Sequence, residues 1–457
     1  MIEFFKNIFK IPELRKRIFF TLMLLAVYRI GAQFLTPGIN FEALEQWFDS
    51  AQGTIFGFMS MFTGGSLKRM TIFALGVMPY ISASIILQLL QVVWPYLERL
   101  SKQGELGKRK ITQYTRYGTV FISLIQSFAI AVSLEKLGGI VANPGWGFRF
   151  ITVITITTGS VFVMWLGEQI SERGIGNGIS LIIFAGILVG MIPGFFETFN
   201  LASGETTPLK ILLLLLVMVA VVVFIVFVEL GQRRIPISYA KRVQGRKMMG
   251  GQSTFLPLKL NTGGVIPIIF AAAVISFIPT IAQFFSGISF MQKLSAWMNP
   301  GMPLYNLIYI VAIIFFTYFY ISIIFNPQDV ADNLKKQGGF IPGIRAGKNT
   351  SEYIDNVLSK LTFIGAIYLS LVAILPTFMM TGFRISAIPF IGEWLATYLP
   401  PWIETGLGVK FAFGGTSLLI VVQVAMDTVN QIESQLTMRS YDSFSKKARR
   451  RRGTRRF

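Results

Sequence analysis

Gly76–Ile81 reads GVMPYI, and Gly264–Ile269 reads GVIPII. Each phrase is followed by a second one: GISLII over Gly178–Ile183, and GTSLLI over Gly415–Ile420. The same order met twice divides the chain into two repeats, 1–205 and 206–435, with a basic stretch at 436–457. Apolar helices interrupted by Gly and Pro at matching places in two halves point to a path near the middle of a bilayer.

Composition agrees with a membrane setting. Hydrophobic residues make up 53% and charged residues 14% of 457, with a mean hydropathy of +0.60. A water-soluble chain of this length carries far more charge. Ten apolar runs are long enough to cross a hydrocarbon layer of about 30 Å: 18–36, 74–94, 117–134, 150–170, 179–197, 211–230, 264–285, 304–325, 361–381 and 411–430. Lipid leaves no partner for an unpaired backbone group, so these runs are expected to be helices. The expected fold is an all-α polytopic membrane protein, with ten transmembrane helices in two pseudo-symmetric inverted halves of five. The first run follows the basic stretch MIEFFKNIFKIPELRKR and shows no small-residue cleavage site, so it reads as an uncleaved first span.

Charge orients the spans. Of the 42 Lys and Arg residues, 33 fall in loops on one side and 8 on the other, and Arg29 lies inside the first span. Basic loops stay in the cytoplasm, which places both termini there. A net charge of +20 gathered on one face suits anionic lipid, ribosomal RNA or an acidic protein.

The absences narrow the chemistry. With no Cys and no His, a thiol nucleophile, a Cys or His metal site and a Ser–His intramembrane protease are excluded. Ion-coupled transport needs ionisable groups deep in the membrane. Glu168, Glu229 and Asp427 all fall near span ends, and Arg29 has no partner visible in the sequence. A secondary transporter therefore shares the two-half design but lacks coupling groups. A docking protein would explain the basic loops but not the paired broken helices. No phosphate-binding loop is present.

The stretch 54–73, TIFGFMSMFTGGSLKRMTIF, is apolar but broken by Gly64, Gly65, Lys68 and Arg69. Irregular backbone at membrane depth survives only when buried in protein or lining a cavity. We read it as a re-entrant element entering from outside, with an external loop and surface helix as the alternative. The cytoplasmic loops 231–262 and 326–360 are long and rich in Gly, Pro and basic residues, as partner-docking segments are. The tail SKKARRRRGTRRF reads as disordered. Outside, 385–403 reads as an interfacial helix anchored by Trp394, Tyr398 and Trp402.

Residues four apart share a helix face, as do Val77 with Ile81 and Ile183 with Ile187. Ile269 and Ile420 hold the repeat positions of Ile81 and Ile183. Six such side chains from four helices make a dry constriction that excludes ions and water by dewetting. Branched apolar residues also simply pack or face lipid; the repeat is what favours a ring. Gln88 and Gln126 lie within the second and third spans, and Gln423 within the tenth. Such amides pair across helices for about 1 kcal/mol, which suits a seam that opens or a static helix contact.

The stretches IFALGVMPYISASIILQLL, ERGIGNGISLIIFAGI, RRIPISYAKR, QSTFLPLKLNTGGVIPIIFA, GGFIPGIRAG and FGGTSLLIVV resemble the bacterial SecY family, and the resemblance runs from the first span to Tyr441. It implies the channel subunit of the Sec protein translocon in the plasma membrane, not an enzyme. Such a channel moves unfolded, signal-sequence-bearing polypeptides across the membrane and releases hydrophobic segments sideways into membrane lipid. Carried over by position, the resemblance makes Val77, Ile81, Ile183, Ile187, Ile269 and Ile420 the pore ring. It makes 54–73 the plug helix, with Phe62, Gly64, Gly65, Leu67, Lys68 and Arg69 in it, and puts Gln88 and Gln126 on the lateral gate. Lys241, Arg242 and Arg345 fall on surfaces that meet the SecA motor and the ribosome. The implied partners are SecE, SecG, SecA and the ribosome, with no DNA. It implies no cofactor, since SecA hydrolyses the ATP. The external stretch 382–410 is longer than the resemblance leads one to expect.

Overall fold

The computed structural model describes residues 11–50, 60, 63–202, 208–239, 242–244, 247–249, 254–284, 290, 294, 296–298, 302–384, 386, 400, 404 and 415–453. Each of the ten apolar runs overlaps a helix. In chain order these are α1 (Pro12–Gly31), α3 (Met78–Val93), α5 (Glu105–Lys136), α6 (Trp146–Arg173), α7 (Gly178–Ala202), α8 (Pro208–Leu230), α9 (Ile266–Phe284), α10 (Pro303–Ile324), α12 (Lys348–Thr381) and α13 (Gly415–Gly453). Shorter helices lie between them: α2 (Phe41–Ser50), α4 (Pro95–Ser101) and α11 (Pro327–Lys336). Among the described residues, four stretches are long and apolar enough to cross a bilayer by themselves: α5, α6, residues Pro303–Lys336 and residues Lys348–Leu375. The α3–α4 pair forms a fifth, bent by 103°. The bend falls at Trp94, whose backbone is extended because Pro95 follows it. Just past α4, Lys102 Nζ stands 2.7 Å from Glu98 Oε1.

By their internal contacts the residues form two compact units. One is Met1–Gly194 with Ser276–Lys293 and Gln423–Phe457; the other is Phe195–Ile275 with Leu294–Val422.

The repeated phrases are helix-starting devices. Gly76 takes φ +54° and Gly264 takes φ +64°, a left-handed conformation natural only to glycine. In each phrase Pro then follows in the first turn, Pro79 in α3 and Pro267 in α9, where its missing N–H costs nothing. Gly178 opens α7, and Asn177 Oδ1 accepts from the N–H groups of Ile179 and Ser180 at 3.1 and 3.4 Å, a side-chain cap. Gly415 is the first described residue of α13.

The expectation of an all-α chain needs correction. In the second unit the two long loops 231–262 and 326–360 fold together in their described parts. Strand β1 (Gln232–Tyr239) pairs antiparallel with β4 (Thr254–Lys259) on one side and with β5 (Gly339–Phe340) on the other. Residues Arg242–Gln244 (β2) and Lys247–Met249 (β3) form a separate hairpin. Ile235, Ile237 and Leu258 on the sheet pack with Leu334 of α11, Ile341, and Ile354 and Leu361 of α12 into a hydrophobic core. Apolar residues alternate along β1, and branched side chains favour strands; the apolar face is covered by α11 and α12. The basic tail also departs from expectation. It continues α13 helically to Gly453, and its Lys, Arg and Ala residues are good helix formers. The expected interfacial helix at 385–403 lies almost wholly outside the described residues.

Candidate functional site

The six ring positions are all buried. Val77 caps α3 and Ile81 is its fourth residue; both are 5% exposed. Ile183 and Ile187, one turn apart on α7, are 2% exposed. All four belong to the first compact unit. Ile269 is the fourth residue of α9 and Ile420 the sixth of α13, and both are buried within the second unit's residues. The repeat thus holds in local structure for two pairs: Ile81 and Ile269 are each fourth in their helices, and Ile183 and Ile420 each sixth. None of the six side chains offers a hydrogen-bonding group, so none of them can bind a polar ligand.

Residues 63–77 run as successive turns rather than a regular helix, and they are packed deep in the first unit. Phe62 lies outside the described residues. Thr63 Oγ1 accepts from Leu67 N at 3.2 Å, and Thr71 forms an antiparallel bridge with Leu35. Three glycines from three helices make the seat. Gly64, at φ +63°, lies against Gly186 of α7. Gly159 of α6 lies against the carbonyl of Ile72, and Gly31 of α1 against the ring of Phe73. A side chain at any of these places would push the segment away. Phe73 stacks on Tyr28 of α1 and on Phe162 of α6, with ring centroids 5.8 and 6.0 Å apart. Leu67, Met70, Ala74 and Leu75 join a core with Leu44 and Phe48 of α2 and Ile156 of α6.

The charged residues of this segment are accommodated. Lys68 Nζ stands 3.3 Å from Glu45, and Arg69 Nη1 donates to Gln33 Oε1 at 3.1 Å. Arg29, without an account from the sequence, points its guanidinium at the carbonyl of Gly64, 3.5 Å away. Its role was hidden because its partner is a backbone oxygen, which no residue pattern announces.

Gln88 and Gln126, expected on the gate, make no side-chain pairing across helices among the described residues. Gln88 Nε2 donates to Ser84 Oγ on its own helix at 3.1 Å. Gln126 is buried on α5, and its Oε1 has no hydrogen-bond partner among the described residues. Gln423 Oε1 is in the same state. An unsatisfied buried carbonyl of this kind costs about 1–3 kcal/mol.

In the two long loops, Lys241 lies outside the described residues, and Arg242 opens strand β2. Arg345 is exposed at the tip of the loop after β5. The loop is held beneath it: Ile341 enters the sheet core, Ile344 N donates to Ile341 O at 3.0 Å, and the buried Thr350 hydroxyl donates to Arg345 O at 3.0 Å. The guanidinium is therefore presented outward from a fixed backbone. Arg234 lies over the ring of Phe255, 4.9 Å from its centroid. Sequence reading missed one further polar pair. Asn261 Nδ2 donates to Glu229 Oε1 at 2.6 Å and to Gly264 O at 3.3 Å. This buried pair ties the end of α8 to the glycine that starts α9. The signal was the lone Glu at the end of an apolar run.

Comparison with known proteins gives one answer. The SecY family profile matches residues 71–429. The protein translocase subunit SecY of Escherichia coli (strain K12) is 47% identical over 443 residues, covering 95% of each chain. That of Aquifex aeolicus is 42% identical over 453 residues, covering 97% of this chain and 99% of the relative. Among solved structures, one described as a protein conducting channel aligns with a TM-score of 0.63 at 18% identity, covering 92% of this chain and 91% of that one. Sec61 in a canine ribosome–channel complex aligns at 0.60 and 17%, with the same coverage.

Proposed function

The chain belongs to the SecY family, and from that premise we propose a division of labour among the parts described above. The protein is a protein-conducting channel of the Sec translocon. Unfolded secretory polypeptides pass through it across the plasma membrane, and hydrophobic segments leave it sideways into lipid. Ten spans in two inverted halves, 1–205 and 206–435, surround the path, and both termini and the basic stretch 436–457 face the cytoplasm.

Val77, Ile81, Ile183, Ile187, Ile269 and Ile420 form the constriction. Uncharged and branched, they close around a chain of any sequence without a specific contact, and they dewet when it is empty. Residues 54–73 act as the plug. The glycine seat and the Arg29 contact keep its described part in place at rest. The second and third spans against the seventh and eighth make the lateral gate, with Gln88 and Gln126 on it. The unsatisfied Oε1 of Gln126 suits a closed state of modest stability, which a signal sequence and a partner tip open by binding the open state better. SecE and SecG complete the complex. SecA supplies ATP hydrolysis, and it and the ribosome meet the basic face that includes Lys241, Arg242 and Arg345.

The observation that carries this reading is the burial of all six purely apolar positions, with Ile81 and Ile269, and Ile183 and Ile420, in corresponding turns of the repeated phrases. The test uses the absence of native Cys. A single Cys is placed at Ile81, Ile183, Ile269 or Ile420, and another in a secretory chain stalled in transit. Disulfides at all four positions, and none at lipid-facing controls such as Phe227, support the ring. Crosslinks confined to the cytoplasmic loops overturn it.

A further inference from the structure

Helices α5 and α6 meet in a single register over residues 116–135 of α5 and 149–168 of α6. Near one end Arg116 Nε donates to Glu168 Oε1 at 2.9 Å, and its Nη2 stands 2.9 Å from Oε2. Midway, the hydroxyls of Ser127 and Thr157 lie 3.1 Å apart. At the far end Arg149 reaches Glu135 Oε2 with Nε at 2.7 Å and Nη2 at 2.6 Å, and Glu135 Oε1 also accepts from Gly145 N at 2.9 Å. Eleven residues separate Arg116 from Ser127, and eleven separate Thr157 from Glu168. Eight separate Ser127 from Glu135, and eight separate Arg149 from Thr157. Equal steps forward on one helix and back on the other leave no slip between them.

The two ion pairs stand about 28 Å apart along the helix axis, close to the roughly 30 Å of a hydrocarbon layer. One pair therefore sits at each water–lipid boundary, where charges are screened less than in bulk water. Each helix carries its Arg towards its start and its Glu towards its end, so every Arg meets the other helix's Glu. A slip of one turn breaks both pairs at once. Between them small residues recur at every fourth position of α5, Thr119, Ser123, Ser127 and Ala131, all buried. Small side chains let the helices approach closely.

We propose that Arg116–Glu168 and Glu135–Arg149 are positioning pairs that fasten α5 to α6 as one rigid body, so that lateral opening leaves this seam closed. The inference rests on the lateral-gate reading given above for the helix that carries Gln126.

The test is a covalent lock. S127C/T157C in the otherwise Cys-free chain is assembled with its partners in vesicles. Translocation of a soluble chain and lateral release of a hydrophobic segment are measured per assembled channel, with the disulfide formed and then reduced. Both rates are expected to agree within twofold between the two states. Separately, R116E is expected to lower lateral release at least fivefold relative to translocation, with R116E/E168R restoring it to within twofold. A lock that stops release while the reduced form releases normally means that α5 slides on α6, and it overturns the proposal. So does a charge swap that fails to rescue. A native channel that translocates but never releases a hydrophobic segment defeats the gate reading itself, and the inference with it.

Discussion

Gly64 and Gly186 meet backbone to backbone. A Cβ built at Gly64 falls 2.7 Å from Gly186 Cα and 2.8 Å from its carbonyl oxygen. Gly186 precedes Ile187, so the seat of the turn segment and two positions of the proposed ring share one helix. A substitution at Gly64 is penalised twice, by this contact and by the positive φ, the latter alone costing about 1 kcal/mol or more. We expect Gly64→Ala to unseat residues 63–77 and raise the ion current of the resting channel in planar bilayers. A resting current equal to that of the native protein contradicts the seat.

Polar groups in the constriction should let water in. Ile81→Asn and Ile269→Asn place an amide where the native residue is 5% exposed, removing the dewetting barrier. Each should make the empty channel conduct ions while leaving the complex assembled. Two tight variants in the same bilayer assay argue against the ring.

Arg345→Glu should weaken motor-driven export without loosening the loop, since only the backbone of Arg345 is used internally, by the Thr350 hydroxyl. Stimulation of SecA ATPase by the assembled complex should fall at least fivefold. Thr350→Ala is the converse case. It keeps the charge but removes a buried hydrogen bond worth about 1 kcal/mol, so it should cause a smaller loss. Normal stimulation by the Glu variant removes Arg345 from the docking surface.

The sheet core makes a stability prediction. Ile354 is fully buried among Ile235, Ile237, Leu334 and Ile341, and Ile354→Ala should cost about 2–4 kcal/mol. Limited trypsin digestion should then cut at Arg233 and Arg234 faster than in the native protein. Phe340→Ala, at a side chain 41% exposed, should leave the cleavage rate nearly unchanged. Equal rates for the two variants mean that the module has no core of its own.

Much of the architecture was legible because lipid imposes a single rule. Every long apolar run must satisfy its own backbone, and each of the ten overlaps a helix. The repeated phrases were legible for a second reason: Gly76 and Gly264 need the same left-handed turn, and Pro79 and Pro267 the same helix start. The β1–β4–β5 sheet was not read, although Ile235 and Ile237 alternate as a strand does. Its third strand is two residues long and comes from a different loop, so no local window contains the pairing. Arg29 went unexplained because the atom it faces is the Gly64 carbonyl. The glutamines were expected to pair across helices, yet Gln88 found Ser84 one turn away, a nearer partner that costs less order.

The sheet module also sets a timetable for biosynthesis. Ile235 and Ile237 leave the ribosome about a hundred residues before Leu334, Ile341 and Ile354, so at about 5–20 residues per second they wait on the order of ten seconds for their covering helices. During that interval β1 and β4 form a basic hairpin whose apolar face is open to whatever stands beside the nascent chain. The last pieces arrive only with the ninth apolar run. A ribosome that stalls between residues 260 and 330 therefore strands the protein with most of its spans made and its docking face unbuilt.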